Sequence, residues 1–285
     1  MVQRSWRDNN IARKKSSSRT TLSYILSLLI AIFLSILVVL TVTRFTVMSP
    51  SFLISKMDGA DFYKQSVVSL NEEIQQETQS TGFPIEMFEN YVDEDTAKTA
   101  MEKYINNAFD GGETTINTTE FETKLTQDID NYLTTNNIII NSESQEAISV
   151  LKSNLIDLYK SYLSFPYLAL VIDVINTYDG IFLIAAAALV VLIGLASFLL
   201  YRLYSHYQGR RRYFSYALSA SGLMCFALPF FIYIGKFIDK ISLSPAYFYN
   251  FFTSTLNSYM LTFVIVGLVM IVLANIVAYI KFERK

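Results

Sequence analysis

The run "IFLIAAAALVVLIGLASFLL", residues 181–200, contains no charged side chain. A helix of roughly 20 apolar residues is long enough to cross a hydrocarbon core of about 30 Å. A helix is the expected form because lipid offers no hydrogen-bond partner to exposed backbone groups. Three further uncharged runs have the same character: 22–43, 213–235 and 259–280. The sequence therefore predicts an all-α protein built on a four-helix transmembrane bundle.

The distribution of Lys and Arg predicts the orientation of this bundle. Residues 1–21 carry six basic side chains against one acidic side chain, and residues 201–212 carry four arginines and no acid. Residues 281–285 are also basic. Because short, positively charged segments remain in the cytoplasm, we expect a multi-pass plasma-membrane protein with both termini cytoplasmic.

This orientation divides the chain into nine segments, in alternating compartments. They are a basic cytoplasmic tail (1–21), span 1 (22–43), an extracytoplasmic acidic helical domain (44–179), span 2 (181–200), a basic cytoplasmic loop (201–212), span 3 (213–235), an outer aromatic loop (236–258), span 4 (259–280) and a cytoplasmic tail (281–285). The domain between spans 1 and 2 is the only large predicted segment outside the bilayer.

The basic loop 201–212 has two interpretations. We expect its arginines to act first as a topology anchor, because their charge holds the loop in the cytoplasm. The alternative is a specific contact with an anionic lipid or with a partner. The residues concerned are Arg202, Arg210, Arg211 and Arg212, with the chain's only histidine, His206, in the same loop.

The segment 44–179 combines a strong charge with helical periodicity. It holds 22 acidic and eight basic side chains, a net charge of −14. Apolar residues recur at the spacing of one helix face, which predicts several helices with a core of their own. The expected core faces are Tyr63, Val67, Leu70 and Ile74; Ala97, Met101, Tyr104, Ile105 and Ala108; Phe121, Leu125, Ile129 and Tyr132; and Ile148, Leu151, Leu155, Leu158 and Tyr162.

Helix boundaries in this segment follow from capping patterns. Thr119 with Glu122, and Ser142 with Gln145, have the spacing of a capping box, so we expect Thr119 and Ser142 to be N-caps. The run "NNIIIN", residues 136–141, is the one short stretch that resembles a strand. The stretch 167–180 is expected to lie on the outer membrane surface or to extend span 2 outward.

The loop 236–258 is rich in aromatic side chains, which favours an interfacial belt at the membrane surface. A patch that stacks on a ligand is the alternative. The residues concerned are Tyr247, Phe248, Tyr249, Phe251 and Phe252.

Several kinds of chemistry are excluded by composition. The segment 44–179 has neither histidine nor cysteine, so a Ser–His–Asp triad and a zinc site built on His or Cys cannot form there. No phosphate-binding loop occurs. The acidic stretches "VDEDT" (92–96) and "TQDIDN" (126–131) both lack the glycine that an EF-hand calcium loop requires. We expect no catalytic residues, no metal site, no cofactor and no nucleic-acid partner.

Small residues recur along each predicted span. Such residues let helices approach closely in lipid, either within the chain or against a membrane-protein partner or a second copy. Pro229 is expected to kink span 3, and Asn275 to bond to a neighbouring helix. The residues expected at helix contacts are Ser27, Ala31, Ser35, Gly194, Ser219, Gly222, Gly267 and Ala274.

The stretch "STGFPIEMFENYVDEDTAKTAMEKYINNAFDGG", residues 80–112, together with the order of spans, resembles four-span membrane proteins of low-GC Gram-positive bacteria that have no assigned activity. The order of one span, a large outer domain and three spans also resembles permease subunits of the macrolide-exporter and cell-division ABC type. That second resemblance lies in topology alone, because those outer domains are mixed α/β.

Two functional hypotheses follow. The first is a non-enzymatic envelope protein, embedded in the lipid bilayer, whose acidic outer domain binds or senses a ligand or partner. The second is a permease-like subunit that a separate ATPase drives through the arginine loop.

Overall fold

A computed structural model describes residues 2–165, 168–203 and 207–279, with side chains in 19–165, 168–203 and 211–279. Within these ranges the chain is all helical and contains no strand, as predicted. Pro166, His206, the side chain of Arg210 and the tail 281–285 lie outside the described parts. The α-helices are α1 (Val2–Phe45), α2 (Pro50–Gly59), α3 (Phe62–Thr78), α4 (Glu94–Phe109), α5 (Thr119–Thr135), α6 (Ser142–Leu163), α7 (Leu168–Leu203), α8 (Tyr207–Ile234) and α9 (Ala246–Tyr279), with short 3-10 helices at Ile85–Phe88 and Ile238–Lys240.

Four helical segments among the described residues are long and apolar enough to cross a membrane. They are Arg19–Phe45, Leu168–Leu203, Arg211–Lys240 and Ala246–Tyr279. Each contains one of the four predicted spans, apart from Ile280, which lies outside the described residues. These helices suit a multi-pass integral membrane protein.

Two of these helices begin before the first residue of the uncharged run from which each span was predicted. Helix α7 begins at Leu168 instead of residue 181, so the stretch after Pro166 extends the second span, which was one of the two expected outcomes. Helix α9 begins at Ala246 instead of residue 259. Its first turns therefore replace much of the loop predicted at 236–258. Helix α8 continues through Pro229 to Ile234.

The chain forms two compact units. The span unit comprises Met1–Ser49, Thr177–Ser242 and Thr255–Lys285, and the acidic unit comprises Pro50–Asn176 and Leu243–Ser254. The acidic unit therefore includes a second, distant piece of chain that charge patterning alone did not connect with it.

Aromatic rings join the segment 243–254 to the rest of the acidic unit. The ring of Phe62 lies 5.1 Å from that of Tyr247 and 5.6 Å from that of Phe251, centroid to centroid. The ring of Phe248 lies 5.9 Å from that of Phe165. Phe251 is therefore buried and Tyr247 and Phe248 are half-buried against protein, while the interfacial belt stays a prediction.

The predicted core faces of α3 and α4 are confirmed in full, and that of α5 is confirmed except at Tyr132, which is half-buried. All four predicted residues on α3 and all five on α4 are buried. On α6 the prediction is wrong at the C-terminal end, where Tyr159 and Leu163 are buried and Leu158 and Tyr162 are only half-buried. The buried face is Leu151, Leu155, Tyr159 and Leu163, at an unbroken four-residue spacing. The prediction instead stepped three residues from Leu155 to Leu158, which moved the rest of its face off the core.

Both predicted capping residues lie one position too late. The N-cap of α5 is Thr118, whose hydroxyl donates a hydrogen bond to the Glu122 carboxylate. The N-cap of α6 is Asn141, whose side-chain oxygen accepts from the Ser144 backbone N–H at 2.7 Å. An oxygen-bearing side chain precedes each predicted cap, but only that of Asn141 accepts a bond from a backbone N–H, since Thr118 makes no such bond. Residues 136–141 form a turn and loop, not a strand.

Close backbone approach defines the contact between α8 and α9 in the span unit. A Cβ built on Gly222 would lie 2.8 Å from the Gly267 carbonyl oxygen, and one built on Gly267 would lie 2.7 Å from the Gly222 carbonyl oxygen. Farther along the same pair, the Ser215 hydroxyl donates to the Ala274 carbonyl at 2.9 Å. These two helices therefore pack backbone to backbone at residues with little or no side chain.

The contact between α1 and α8 also uses small residues. The Ser27 hydroxyl donates to the Tyr213 carbonyl at 2.9 Å, and Ala31 is fully buried. The Ser35 hydroxyl bonds to the Ile32 carbonyl of its own helix and approaches the Met224 sulfur at 3.7 Å. Part of α7 joins this contact through Ala196 and Leu200.

Three other predicted positions have different surroundings. Gly194 is exposed, and no atom of the described residues lies within 4 Å of an added Cβ, so this glycine has no packing role among them. Ser219 is half-buried. Asn275 donates to the Ile271 carbonyl of its own helix at 2.8 Å, so the expected bond to a neighbouring helix is wrong. The amide reaches a carbonyl one turn back, which satisfies its donor without a partner helix.

Candidate functional site

The acidic unit contains a polar cleft of about 730 Å³ between α4, the loop 110–118 and α6. Three carboxylates line it, namely Asp95, Asp110 and Glu120, against one lysine, Lys103. All four side chains belong to exposed residues. Side-chain amides and hydroxyls line the rest, including Asn106, Asn107 and Asn117. We call this feature the acidic cleft.

One wall of the acidic cleft is a loop that folds back on the end of α4. Gly111 has a φ of +82°, a conformation that favours glycine. The Gly112 N–H donates to the Asn107 carbonyl at 2.9 Å, and the Asn107 amide donates to the Glu113 carbonyl at 3.2 Å. A Cβ on Gly112 would overlap the Asn107 side chain. The two glycines thus let the loop turn closely enough to form the wall.

Two tyrosines from different helices line the floor of the acidic cleft. Tyr104 on α4 is 6% exposed and Tyr159 on α6 is 3% exposed. The ring of Tyr159 stacks on Phe121, with centroids 4.4 Å apart. The rings therefore belong to the core, and only the polar tips are available to the cleft.

Neither tyrosine hydroxyl has a hydrogen-bond partner among the described residues. A buried tyrosine hydroxyl usually has such a partner. The fully enclosed unpaired side-chain atoms of the described residues all lie in the span unit. The hydroxyls of Tyr104 and Tyr159 therefore open into the acidic cleft and can bond to a molecule inside it.

The electrostatic environment of the floor is negative. Burial, followed by the charges of Glu120 and Asp93, raises the pKa of Tyr159 to about 12. Burial also raises the pKa of Tyr104. Hydrogen bonds from Thr96 lower the pKa of Asp93, which caps α4, so this carboxylate stays ionised at neutral pH. Both phenols therefore stay protonated at neutral pH, and Tyr159 does so near the ionised Asp93 carboxylate.

The acidic cleft does not resemble a metal centre. Within the described residues, no group of three or more His, Cys, Asp or Glu side chains converges closely enough to hold a metal ion. Asp95, Asp110 and Glu120 line the cleft as exposed residues and do not form such a group. The arrangement suits a ligand that takes hydrogen bonds at several separated points.

The predicted arginines lie in the span unit, at the ends of α7 and α8. The Arg202 guanidinium lies 5.3 Å from the Phe198 ring centre. The Arg212 Nε donates to the Tyr216 hydroxyl at 2.5 Å. Arg211 is half-buried, and the side chain of Arg210 lies outside the described residues. Arg202 and Arg212 each contact an aromatic residue four positions away on the same helix.

A second polar cluster in the span unit escaped sequence analysis. The Arg44 Nε lies 2.8 Å from an Asp179 oxygen, which joins α1 to α7. The Tyr178 hydroxyl donates to the Leu40 carbonyl at 2.5 Å, and the hydroxyls of Thr43 and Tyr259 are 2.8 Å apart. These bonds connect α1 with both α7 and α9. They serve helix packing within the span unit.

Sequence analysis also missed the acidic cleft. Its carboxylates were counted only as part of a net charge, and Tyr104 was assigned only to a core face. Tyr159 was left out of its face altogether. The available signal was a tyrosine within an otherwise aliphatic face, since a buried phenol requires a hydrogen-bond partner.

Comparison of the chain with protein-family models, with curated proteins and with solved structures found no match.

Proposed function

We propose that this chain is a non-enzymatic integral membrane protein of the bacterial cell envelope whose acidic unit lies outside the cytoplasm and binds a small envelope ligand. The observation that carries the proposal is the acidic cleft, which is lined by two buried tyrosine side chains whose hydroxyls have no hydrogen-bond partner among the described residues. Its volume of about 730 Å³ falls within the range of small-molecule sites, roughly 300–1,000 Å³.

Two observations support the orientation in this proposal. The basic side chains of 1–21 and 201–212 favour the cytoplasm. The segment 243–254 packs with residues 50–176 in one unit, which requires both pieces to lie on the same side of the membrane. An even number of crossings must therefore separate them, and the apolar helices α7 and α8 supply two.

The side chains of the acidic cleft favour binding over catalysis. Its carboxylates belong to exposed residues on solvated helices, and its phenols have raised pKa values. A group of this kind is a poor general base at neutral pH. His206 and Cys225, the chain's one histidine and one cysteine, both lie outside the residues that form the acidic unit.

The test uses the full chain in lipid nanodiscs, incubated with the small-molecule fraction of native envelopes. Compounds retained after gel filtration are identified by mass spectrometry. We expect the variant Asp95→Asn, Asp110→Asn, Glu120→Gln to lose a compound that the wild type retains.

The matched control is Glu86→Gln, Glu143→Gln, Glu146→Gln, which removes three exposed carboxylates away from the cleft, two of them also in the first turn of a helix. This control should retain the compound. A retained set identical in wild type and cleft variant would refute the proposed function.

A further inference from the structure

We propose that the acidic cleft binds an extended organic ammonium cation, of the linear polyamine type, through the hydroxyls of Tyr104 and Tyr159 and the surrounding carboxylates. This inference rests on the proposed function and deepens it by naming the class of ligand. Primary and secondary ammonium groups carry several N–H donors each. The acidic cleft presents mainly acceptors to meet them.

The floor of the acidic cleft determines how the ligand is held. Tyr104 and Tyr159 are 6% and 3% exposed, and their hydroxyls are unpartnered among the described residues. Because each phenol stays protonated, its oxygen can accept a hydrogen bond from an ammonium group without a change of charge. An ammonium group in the cleft would therefore give each hydroxyl the hydrogen-bond partner that the described residues do not supply.

The position of the aromatic rings argues against a sugar. Saccharide sites commonly offer an aromatic face for stacking, but the ring of Tyr159 is stacked on Phe121 and both tyrosine rings are buried. Only hydroxyl tips reach the cleft, so recognition must proceed through hydrogen bonds. Amine donors on a flexible chain can reach both hydroxyls.

The charge and spacing of the carboxylates argue against a compact metal ion. Calcium takes six to eight oxygen ligands around one point, and no such convergence exists among the described residues. Asp95, Asp110 and Glu120 line the cleft without forming such a group. An extended cation with several separated charges matches that arrangement, and the net charge of −14 in the acidic unit attracts it from a distance.

The experiment measures binding of spermidine to the full chain in phosphatidylcholine nanodiscs by isothermal titration calorimetry. Zwitterionic lipid and empty nanodiscs exclude binding to anionic lipid. We expect saturable 1:1 binding that weakens as salt rises, since exposed carboxylates are screened. An uncharged diol of the same length should not bind, and Mg²⁺ at equal concentration should not displace spermidine.

Conservative variants test the role of the floor. Tyr104→Phe and Tyr159→Phe keep the buried ring and remove only the hydroxyl, so the fold is retained, and each should weaken spermidine binding about tenfold. The triple carboxylate variant should abolish binding, and the triple control variant should not. Spermidine binding that survives both Tyr→Phe changes, or that Mg²⁺ displaces at equal concentration, would show diffuse charge attraction and overturn the proposal.

The failures of the two proposals are distinguishable. If spermidine does not bind while the envelope extract still yields a cleft-dependent compound, the ligand class is wrong and the proposed function stands. If the triple carboxylate variant changes neither result, the acidic cleft is not a ligand site and both proposals fall.

Discussion

Gly222 on α8 and Gly267 on α9 face each other so closely that a methyl group on either would meet the carbonyl oxygen of the other, at 2.8 and 2.7 Å respectively. Helices in lipid associate through close packing of small residues, because burial of apolar surface between helices yields little when the surrounding solvent is also apolar. This glycine pair therefore sets the separation between the two helices.

Replacing either glycine with alanine should force α8 and α9 apart. We expect Gly222→Ala or Gly267→Ala to lower the free energy of unfolding of the detergent-solubilised protein by about 1–3 kcal/mol, the usual range for overpacking a tight contact. Thermal unfolding followed by circular dichroism gives the measurement. Gly194→Ala is the matched control and should be neutral, because nothing lies within 4 Å of its added Cβ.

The ion pair between Arg44 and Asp179 should contribute modestly to the packing of α1 against α7. Both side chains are about one-third exposed, so a double-mutant cycle with Arg44→Ala and Asp179→Ala should give a coupling of about 0.2–1 kcal/mol. The exchanged pair Arg44→Asp with Asp179→Arg should recover part of the loss. A coupling of zero would show that the ion pair with Asp179 does not contribute to stability. Any effect of Arg44→Ala would then come from other contacts, such as the bond to the Met48 carbonyl.

The proposed orientation predicts a labelling pattern on intact cells. Single cysteines at Ser80, Ser142 and Asn250, in a Cys225→Ser background, should react with a membrane-impermeant thiol reagent because all three lie on exposed residues of the acidic unit. A cysteine at Ser205 should react only after lysis. Labelling at Ser80 but not at Asn250 would contradict the placement of both pieces on one side.

The arginine loop distinguishes an anchor from a specific contact. If charge alone matters, replacing Arg210, Arg211 and Arg212 with lysine should leave insertion and abundance unchanged, whereas glutamate at all three positions should disturb insertion of α7 and α8. Lysine lacks the planar fork of arginine. A lysine variant that inserts normally yet behaves like a deletion would favour the permease-like subunit.

Alkaline pH should destabilise the acidic unit. Burial first, then a hydrogen bond to Asp128, raises the pKa of Tyr91 above its ordinary value, and the pKa of Tyr159 rises to about 12. A raised pKa in the folded state means that the associated stability is present below the ordinary tyrosine pKa of about 10 and is lost as pH rises through the folded value.

The unfolding free energy of the full chain, followed by circular dichroism, should therefore fall between about pH 10 and pH 12. The variant Tyr159→Phe should show a shallower fall, since it removes one titrating phenol. An identical slope in both proteins would mean that Tyr159 ionises as easily folded as unfolded.

Local signals predicted the helices of the acidic unit better than its cleft. The faces of α3 and α4 were predictable because each is a run of apolar residues at helical spacing within a single segment. The cleft depends on Tyr104 from α4 and Tyr159 from α6, which no local pattern brings together. Capping residues were misplaced by one position because Thr118 and Asn141 stand directly before equally competent neighbours.

The segment 243–254 shows the limit of reasoning from composition. Its aromatic residues suit a membrane interface and a protein core equally well, and hydropathy does not distinguish the two. Only the proximity of Tyr247 and Phe251 to Phe62 assigns them to the acidic unit. Similarly, small residues predicted close helix contacts, but only the structure separates Gly222, which meets a facing backbone, from Gly194, which meets nothing.

The dependence of Phe62 on Tyr247 and Phe251 has a consequence for biosynthesis. A ribosome makes residues 50–176 well before residues 243–254. Part of the aromatic core of the nascent acidic unit therefore stays exposed while α7 and α8 are synthesised. Completion of this unit is therefore a late event that follows translation of the chain beyond α8. A chain terminated before residue 243 would contain every carboxylate and tyrosine of the acidic cleft and yet leave Phe62 without the rings of Tyr247 and Phe251.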